Sequence, residues 1–330
     1  MGYVSTRRLG RTFGVAAFGL ALLTGPLAAQ NLNIAMTPPE ESHYGAAAKA
    51  IKERLEKLSD GKMTVSIKSN GVLGGEREIL EGMQIGSIDM GITSTGPVGG
   101  FVPTTYVLDL PFLFKDTKSA RAVLDGEIGQ ELLKDFEPVG IVALGWAENG
   151  FRHVTNSRQP IAAPTDLKGM KIRTMENDIH LKSFETAGAA PTPMSWNEVI
   201  TALQQGTIDG QETPMSIFLA NRIWEVQKYA SLTGHVYSPS LIMISKVQWD
   251  AMTPEQQGWV REAAKAGVEA NRAYVTHDDE RGVAILKENG MQVNDVPNRE
   301  AFIEVMEPVY KAYIAKNGAQ MLDRIRDAQK

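Results

Sequence analysis

The sequence predicts an α/β protein built as two similar lobes that face each other across a cleft. Three observations carry this. The chain has 330 residues, enough for two domains. Residues 31–93 read as β-α-β-α-β, the alternation of a layered domain with a mainly parallel sheet. The segment Ile79–Asp89 is echoed 120 residues later by Val199–Asp209, with Gln84, Gly86, Ile88 and Asp89 returning as Gln204, Gly206, Ile208 and Asp209. Each copy reads as a helix closed by a C-terminal glycine, then an Ile-Asp pair leading a strand. Ligands of open α/β sheets bind beyond the carboxyl ends of strands, so two facing lobes place the site between them.

The elements follow in order. Asn31–Met36 alternates as a first strand, and Thr37–Tyr44 is a loop. Gly45–Leu58 carries Ala47, Ile51, Leu55 and Leu58 on one helical stripe. Lys62–Ser69 is an alternating strand after the Asp60-Gly61 turn. Glu76–Ile85 is a helix stopped by Gly86, and Ser87–Thr93 a third strand. Ser119–Phe136 is helical, and Val139–Trp146 is a buried strand with Glu148-Asn-Gly-Phe-Arg152 just beyond it. Lys171–Met175 is a short strand behind Gly169. Ser195 and Glu198 have the spacing of a capping box, which puts Trp196 in the first turn of the next helix. Ile217–Trp224 reads as helix, with Val226–Leu232 and Ser240–Ser245 as two strands. Pro254–Lys287 is a long helical run, Val293 starts a short strand, and Arg299–Lys316 and Met321–Gln329 close the chain as helices.

Composition narrows the function. Charged residues are 22% and hydrophobic ones 43%, ordinary for a soluble globular chain. The net charge is −5, and the first 29 residues hold three Arg and no acid, so the remainder carries −8. Such a surface does not suit nucleic acid. The absence of cysteine excludes thiol catalysis, Cys-ligated zinc, iron–sulfur clusters and disulfides. Arg7, Arg8 and Arg11, the apolar run Phe13–Leu23 and Pro26-Leu-Ala-Ala29 have the layout of a signal peptide cleaved after Ala29. Thr6-Arg-Arg8 leaves twin-arginine export open beside the general route. No later segment has 18 apolar residues in a row. An exported, soluble protein is expected.

The candidate site gathers around Arg173. A guanidinium near the end of a strand is held stiffly and offers a planar fork that matches a carboxylate. Arg152 supplies a second cation from another element, next to Glu148 and Asn149. Trp196 lies beside helix N–H groups that favour anions. Thr93, Ser94 and Thr95 end a strand with three hydroxyls, which either bind ligand oxygens or satisfy the turn. His43 and Tyr44 precede the first helix and are candidate walls of the cleft. No cofactor and no metal is expected: the five His show no pair at metal-ligand spacing, and Asp278-Asp-Glu280 on a helix reads as a solvated face.

Gly150-Phe-Arg-His153, Asp166-Leu-Lys-Gly-Met-Lys-Ile-Arg173, Ala190-Pro-Thr-Pro-Met194 and Ile208-Asp-Gly-Gln-Glu-Thr-Pro214 resemble the DctP-type periplasmic solute-binding proteins of TRAP transporters. So do Leu73-Gly-Gly75 and Leu110-Pro-Phe-Leu-Phe114, in the same order along essentially the whole chain after the leader. The resemblance implies a two-lobed periplasmic-binding-protein fold with a hinge, a central cleft and a long bridging helix, for which Pro254–Lys287 is the candidate. It implies discontinuous lobes, placed at 30–149 with 239–278 and at 150–238 with 279–330. It gives Arg173 the role of carboxylate clamp, Arg152 that of a secondary ligand contact, and Trp196 that of an aromatic wall. Thr213 stands where many members carry Asn, which leaves one amide contact to the ligand open.

The implied function is capture of a small organic acid anion, a sugar acid or a C4-dicarboxylate, and delivery to membrane permease subunits by a monomer. The hydroxyl run and His43 tilt the expectation toward sugar acids. A ligand-sensing subunit for a membrane receptor uses the same fold. A secreted hydrolase or lyase has little support, because no G-x-S-x-G, H-E-x-x-H or P-loop is present.

Overall fold

The computed structural model describes residues 1–4 and 30–330, so the expected leader and its cleavage after Ala29 lie outside the described residues. In chain order the first elements are β1 (Gln30–Ala35), α1 (His43–Leu58), β2 (Met63–Lys68), α2 (Glu76–Gln84), β3 (Met90–Ser94) and α3 (Thr95–Val98). Helices α4 (Thr117–Asp125) and α5 (Glu127–Lys134) lead to the long β4 (Ile141–Asn156). Next come β5 (Lys171–Thr174), α6 (Asp178–Thr186), β6 (Ala190–Pro193), α7 (Trp196–Gln204), β7 (Gly210–Pro214) and α8 (Met215–Ala220). The second long strand, β8 (Tyr229–Ser245), is followed by α9 (Lys246–Asp250), α10 (Pro254–Glu288) and β9 (Gln292–Asp295). Helices α11 (Arg299–Val305), α12 (Glu307–Asn317) and α13 (Gln320–Asp327) end the chain. Among the described residues, no helix is long and apolar enough to cross a membrane.

All nine strands form one sheet in the order β2-β1-β3-β8-β4-β7-β5-β6, with β9 added alongside β8. The order is palindromic about the β8–β4 pair. On one side β1 runs parallel to both β2 and β3, and on the other β5 runs parallel to both β6 and β7. The sheet is mixed: each flank is parallel, as the opening β-α-β-α-β predicts, while β8 and β4 run antiparallel to each other and to β3 and β7. These two strands span 17 and 16 residues and tie the halves together.

The internal echo is a structural repeat. Gly86 and Gly206 follow α2 and α7 with φ of +77° and +66°, the left-handed conformation that glycine adopts without a Cβ penalty. Asp89 then accepts from the Asn33 N–H at 2.8 Å, and Asp209 from the Lys171 N–H at 2.8 Å. Each aspartate thus pins a neighbouring parallel strand to the one it precedes.

Several boundaries differ from the sequence expectation. The run 119–136 is two helices, broken at the extended Gly126. The run 299–316 is also two, broken at Met306, before Pro308. Glu148–Arg152 lies inside β4 rather than after it, and the two strands expected at 226–232 and 240–245 are the single β8. Both long strands hold residues of low strand propensity, and pairing with each other overrides that preference. Helix α10 is as expected, 35 residues long, capped by a Thr253–Gln256 box: the Gln256 N–H donates to Thr253 at 3.3 Å and the Thr253 N–H to Gln256 at 2.8 Å. It buries Val260, Ala263 and Ala264 against Ala47, Ile51 and Leu55 of α1, and continues past β4 to α8. Asp278 is buried and bonded to Arg281 at 3.0 Å, not part of a solvated face.

Candidate functional site

The carboxyl ends of β1, β3, β5 and β7 converge on one cavity. Thr37 and Pro38 follow β1, Ser94 ends β3, Met175 follows β5, and Thr213 lies at the end of β7. Asn149 and Arg152 enter from β4 and Arg173 from β5. The first turns of α1, α2 and α7 deliver Tyr44, Glu76 and Trp196, and Ile217 of α8 completes the wall. Three helix N-termini at one cavity add partial positive charge, which favours an anion.

Arg173 is almost fully buried. Its Nε and Nη2 both donate to the Met194 carbonyl, at 2.9 and 2.7 Å, and its guanidinium lies 5.5 Å from the Trp196 ring centroid. Among the described residues no acceptor holds Nη1. Burial pulls its pKa down to about 10, with Glu212 and Glu76 opposing, so it stays charged at neutral pH. Arg152 is pinned instead by an acid: Nε donates to Glu212 Oε2 at 2.5 Å, and Nη2 to Oε1 and the backbone oxygen of Glu212 at 2.9 and 2.6 Å. Its Nη1 is buried with no partner among the described residues. Both Nη1 arms thus lack a protein acceptor among the described residues, and that of Arg152 is fully buried, where an unpaired donor of a charged group is costly. A carboxylate is the group that matches them.

Glu76 is the acidic counterweight. It accepts from the Ser94 N–H at 2.7 Å and the Ser94 hydroxyl at 2.8 Å. Burial raises its pKa, opposed by the Ser94 hydrogen bonds and Arg173.

Beneath the cavity lies a buried charged cluster. Glu212 is also contacted by His235 Nε2 at 3.0 Å and by His180 Nδ1 at 3.4 Å, while His180 Nε2 is 3.7 Å from Asp109. Burial pushes Glu212 up, but Arg152, His180 and His235 together hold it well below the usual carboxylate range. Burial pushes His180 down, and Glu212 and Asp109 more than offset it, so its pKa is raised. Asp109 also accepts from Thr95 at 2.7 Å and from Asn177 at 2.9 Å.

Six of the ten expected residues line the cavity: Arg173, Arg152, Trp196, Thr213, Ser94 and Asn149. The other four stand behind it. Thr95 is bonded to Asp109, and the Thr93 hydroxyl is buried without a partner among the described residues. The three hydroxyls therefore do not act together: Thr93 and Ser94 point to opposite faces of β3, and Thr95 opens α3. His43 bonds Asn149, its Nε2 lying 2.8 Å from Oδ1. Glu148 is bonded by Arg121 and faces the helix side. Ser195 makes no capping hydrogen bond, so the predicted capping box is absent. Sequence reasoning missed Glu76, Met175, Thr37, Pro38 and Ile217 as wall residues. For Glu76 a signal existed, since it opens a helix directly after Leu73-Gly-Gly75.

The family model for bacterial extracellular solute-binding proteins, family 7 (DctP), matches residues 34–317. The chain belongs to the DctP family. It is a solute-binding protein of that family, not an enzyme. One relative, the 2,3-diketo-L-gulonate-binding periplasmic protein YiaO of Escherichia coli K12, is 36% identical over 96% of both chains. Among solved structures, a TRAP periplasmic solute-binding protein from Bordetella bronchispeptica, with density assigned to pantoate, superposes with a TM-score of 0.89 at 47% identity. That match covers 91% of this chain and 99% of the other. A TRAP periplasmic solute-binding protein from Polaromonas sp. JS666 bound to D-erythronate gives a TM-score of 0.88 at 43% identity, covering 90% and 98%.

Proposed function

We propose that this protein captures a small hydroxylated monocarboxylate in the cavity and delivers it to the membrane subunits of a TRAP permease. The observation that carries the reading is the pair of guanidinium arms, Nη1 of Arg173 and of Arg152, that have no protein acceptor in the lining. Arg173 is the clamp, and Arg152, Trp196, Thr213, Ser94 and Asn149 complete the contacts. Glu76 sets the class. A ligand hydroxyl can donate to its carboxylate, whereas a second ligand carboxylate would face a like charge. D-Erythronate, pantoate and 2,3-diketo-L-gulonate, the ligands named for the relatives above, are all hydroxylated monocarboxylates.

The lobes are 30–149 with 239–278 and 150–238 with 279–330. The strand register supports a hinge there: the irregularity between Glu148 and Gly150 lies opposite Ser238 and Pro239. Ligand contacts from both lobes favour the closed state, in which Ser94 meets Met175 at 3.1 Å and Asn177 reaches the Gly96 carbonyl at 2.8 Å. The leader directs the chain to the periplasm and is removed after Ala29, and the protein acts as a monomer.

A thermal-shift screen tests the reading, since a ligand at a hundred times its Kd adds about 2.7 kcal/mol to stability. D-Erythronate or pantoate should raise the melting temperature, and the uncharged polyol erythritol should not. Equal stabilisation by erythritol, or a response to succinate alone, contradicts it.

A further inference from the structure

Asn149 reaches the cavity from an irregular point of β4. The β4–β8 register shifts between Glu148 and Gly150, which leaves Asn149 between two paired residues. Such a bulge re-aims a side chain. Gly150 has φ of +109°, a conformation that side chains resist, so this glycine is what permits the bulge.

Behind Asn149 two buried residues fix its orientation. His43 Nε2 lies 2.8 Å from Asn149 Oδ1. His43 Nδ1 is buried without a partner among the described residues. Burial lowers the imidazole pKa to about 4, so at neutral pH the ring carries a single N–H. Oδ1 is an acceptor, so that hydrogen sits on Nε2. The reverse amide orientation would put it on Nδ1, as a buried donor with nothing to bond, the costlier arrangement. Asn271, midway along α10, holds both backbones: its Oδ1 accepts from the Glu148 N–H at 2.7 Å and its Nδ2 donates to the His43 carbonyl at 3.2 Å. Asn271 and His43 are both fully buried, and Asn149 is 5% exposed.

We propose that His43 is a positioning residue that takes up the Asn149 carbonyl, so that Asn149 offers the cavity donors only, both N–H bonds of its amide. Asn149 is then a third donor beside Arg173 and Arg152, selective for an acceptor oxygen of the ligand. Asn271 couples that donor to the long helix. His43 never touches the ligand. This deepens the reading of the cavity as an organic-acid site and rests on it for the ligand, but the tautomer of His43 does not depend on that reading.

Two measurements on the full chain test it. Imidazole 15N spectra of the ligand-free protein at neutral pH should show His43 protonated at Nε2 and bare at Nδ1; protonation at Nδ1 overturns the proposal. Calorimetry with D-erythronate then follows a double-mutant cycle. Asn149→Ala should weaken binding about ten- to a hundredfold, the scale of a hydrogen bond to a charged group. His43→Leu should weaken it as well, yet add nothing in the Asn149→Ala background. His43→Gln, which can still donate to Oδ1, should restore most of the affinity. Additive losses, or no rescue by Gln in a variant that melts like the wild type, overturn the positioning role. Failure of the wild type to bind D-erythronate, pantoate or galactonate overturns the organic-acid reading instead, and the 15N result then decides the His43 geometry alone.

Discussion

Arg173 gives both Nε and Nη2 to one acceptor, the carbonyl oxygen of Met194, at 2.9 and 2.7 Å. One edge of the fork anchors the side chain to the Met194 carbonyl and leaves the Nη1 arm without a protein acceptor among the described residues. A lysine has one ammonium at the end of a flexible stem and cannot do both. Arg173→Lys should therefore weaken organic-acid binding by about 2–5 kcal/mol, the usual cost of truncating a buried charged pair, while the far-ultraviolet spectrum stays unchanged. Calorimetry showing wild-type affinity in this variant would remove Arg173 from the clamp role.

Arg152 differs from Arg173 in being neutralised. Glu212→Gln leaves its guanidinium buried without a counter-charge and removes the acid shared by His180 and His235. The variant should lose about 3–5 kcal/mol in urea denaturation, as broken buried pairs do. A loss under about 1 kcal/mol would mean that water reaches the cluster.

His43 predicts an acid limb of stability. Its folded-state pKa, about 4, is below the unfolded value of 6.5, so between these pH values the unfolded chain binds a proton that the folded chain does not. Stability should fall as pH drops through this window, by about 3 kcal/mol in total at 1.36 kcal/mol per unit. His180 has the opposite sign: its pKa is raised, so its contribution is complete below about pH 6.5 and is lost as pH climbs through the folded value. Denaturation curves of His43→Gln against wild type from pH 4 to 7 should show a shallower acid slope in the variant. Identical slopes would refute the assignment.

Asn177 caps α6 through its Oδ1, accepting from the Ile179 and His180 N–H groups at 2.9 and 3.1 Å, while its Nδ2 donates to Gly96 and Asp109. Asn177→Asp keeps the cap and loses the donor. It should reduce ligand affinity about tenfold by disfavouring closure, although the residue lies outside the cavity lining. Unchanged affinity would show that this contact does not contribute to closure.

Local pattern made much of the fold legible. Gly86 and Gly206 announced two equivalent helix ends, and the long helical run Pro254–Lys287 marked α10. Hidden from a linear reading were the features made by distant residues. Glu148–Arg152 was expected just beyond the strand that ends at Trp146, yet β8 pairs with it and makes a bulge. His180 and His235 have no sequence relation to Glu212, and only the sheet order brings them together. Arg173, Arg152 and Trp196 were found because cation and aromatic types carry their chemistry openly. Glu76 was missed because an acid at a helix start is ordinarily a capping charge.

We propose that a carboxylate completes the two unpaired guanidinium arms. A crystal structure of the protein with D-erythronate measures this most directly. A carboxylate oxygen should lie within about 3.2 Å of Arg173 Nη1, with the hydroxyl end toward Glu76. A ligand seated with its carboxylate away from both arginines, or outside the cavity, would contradict it.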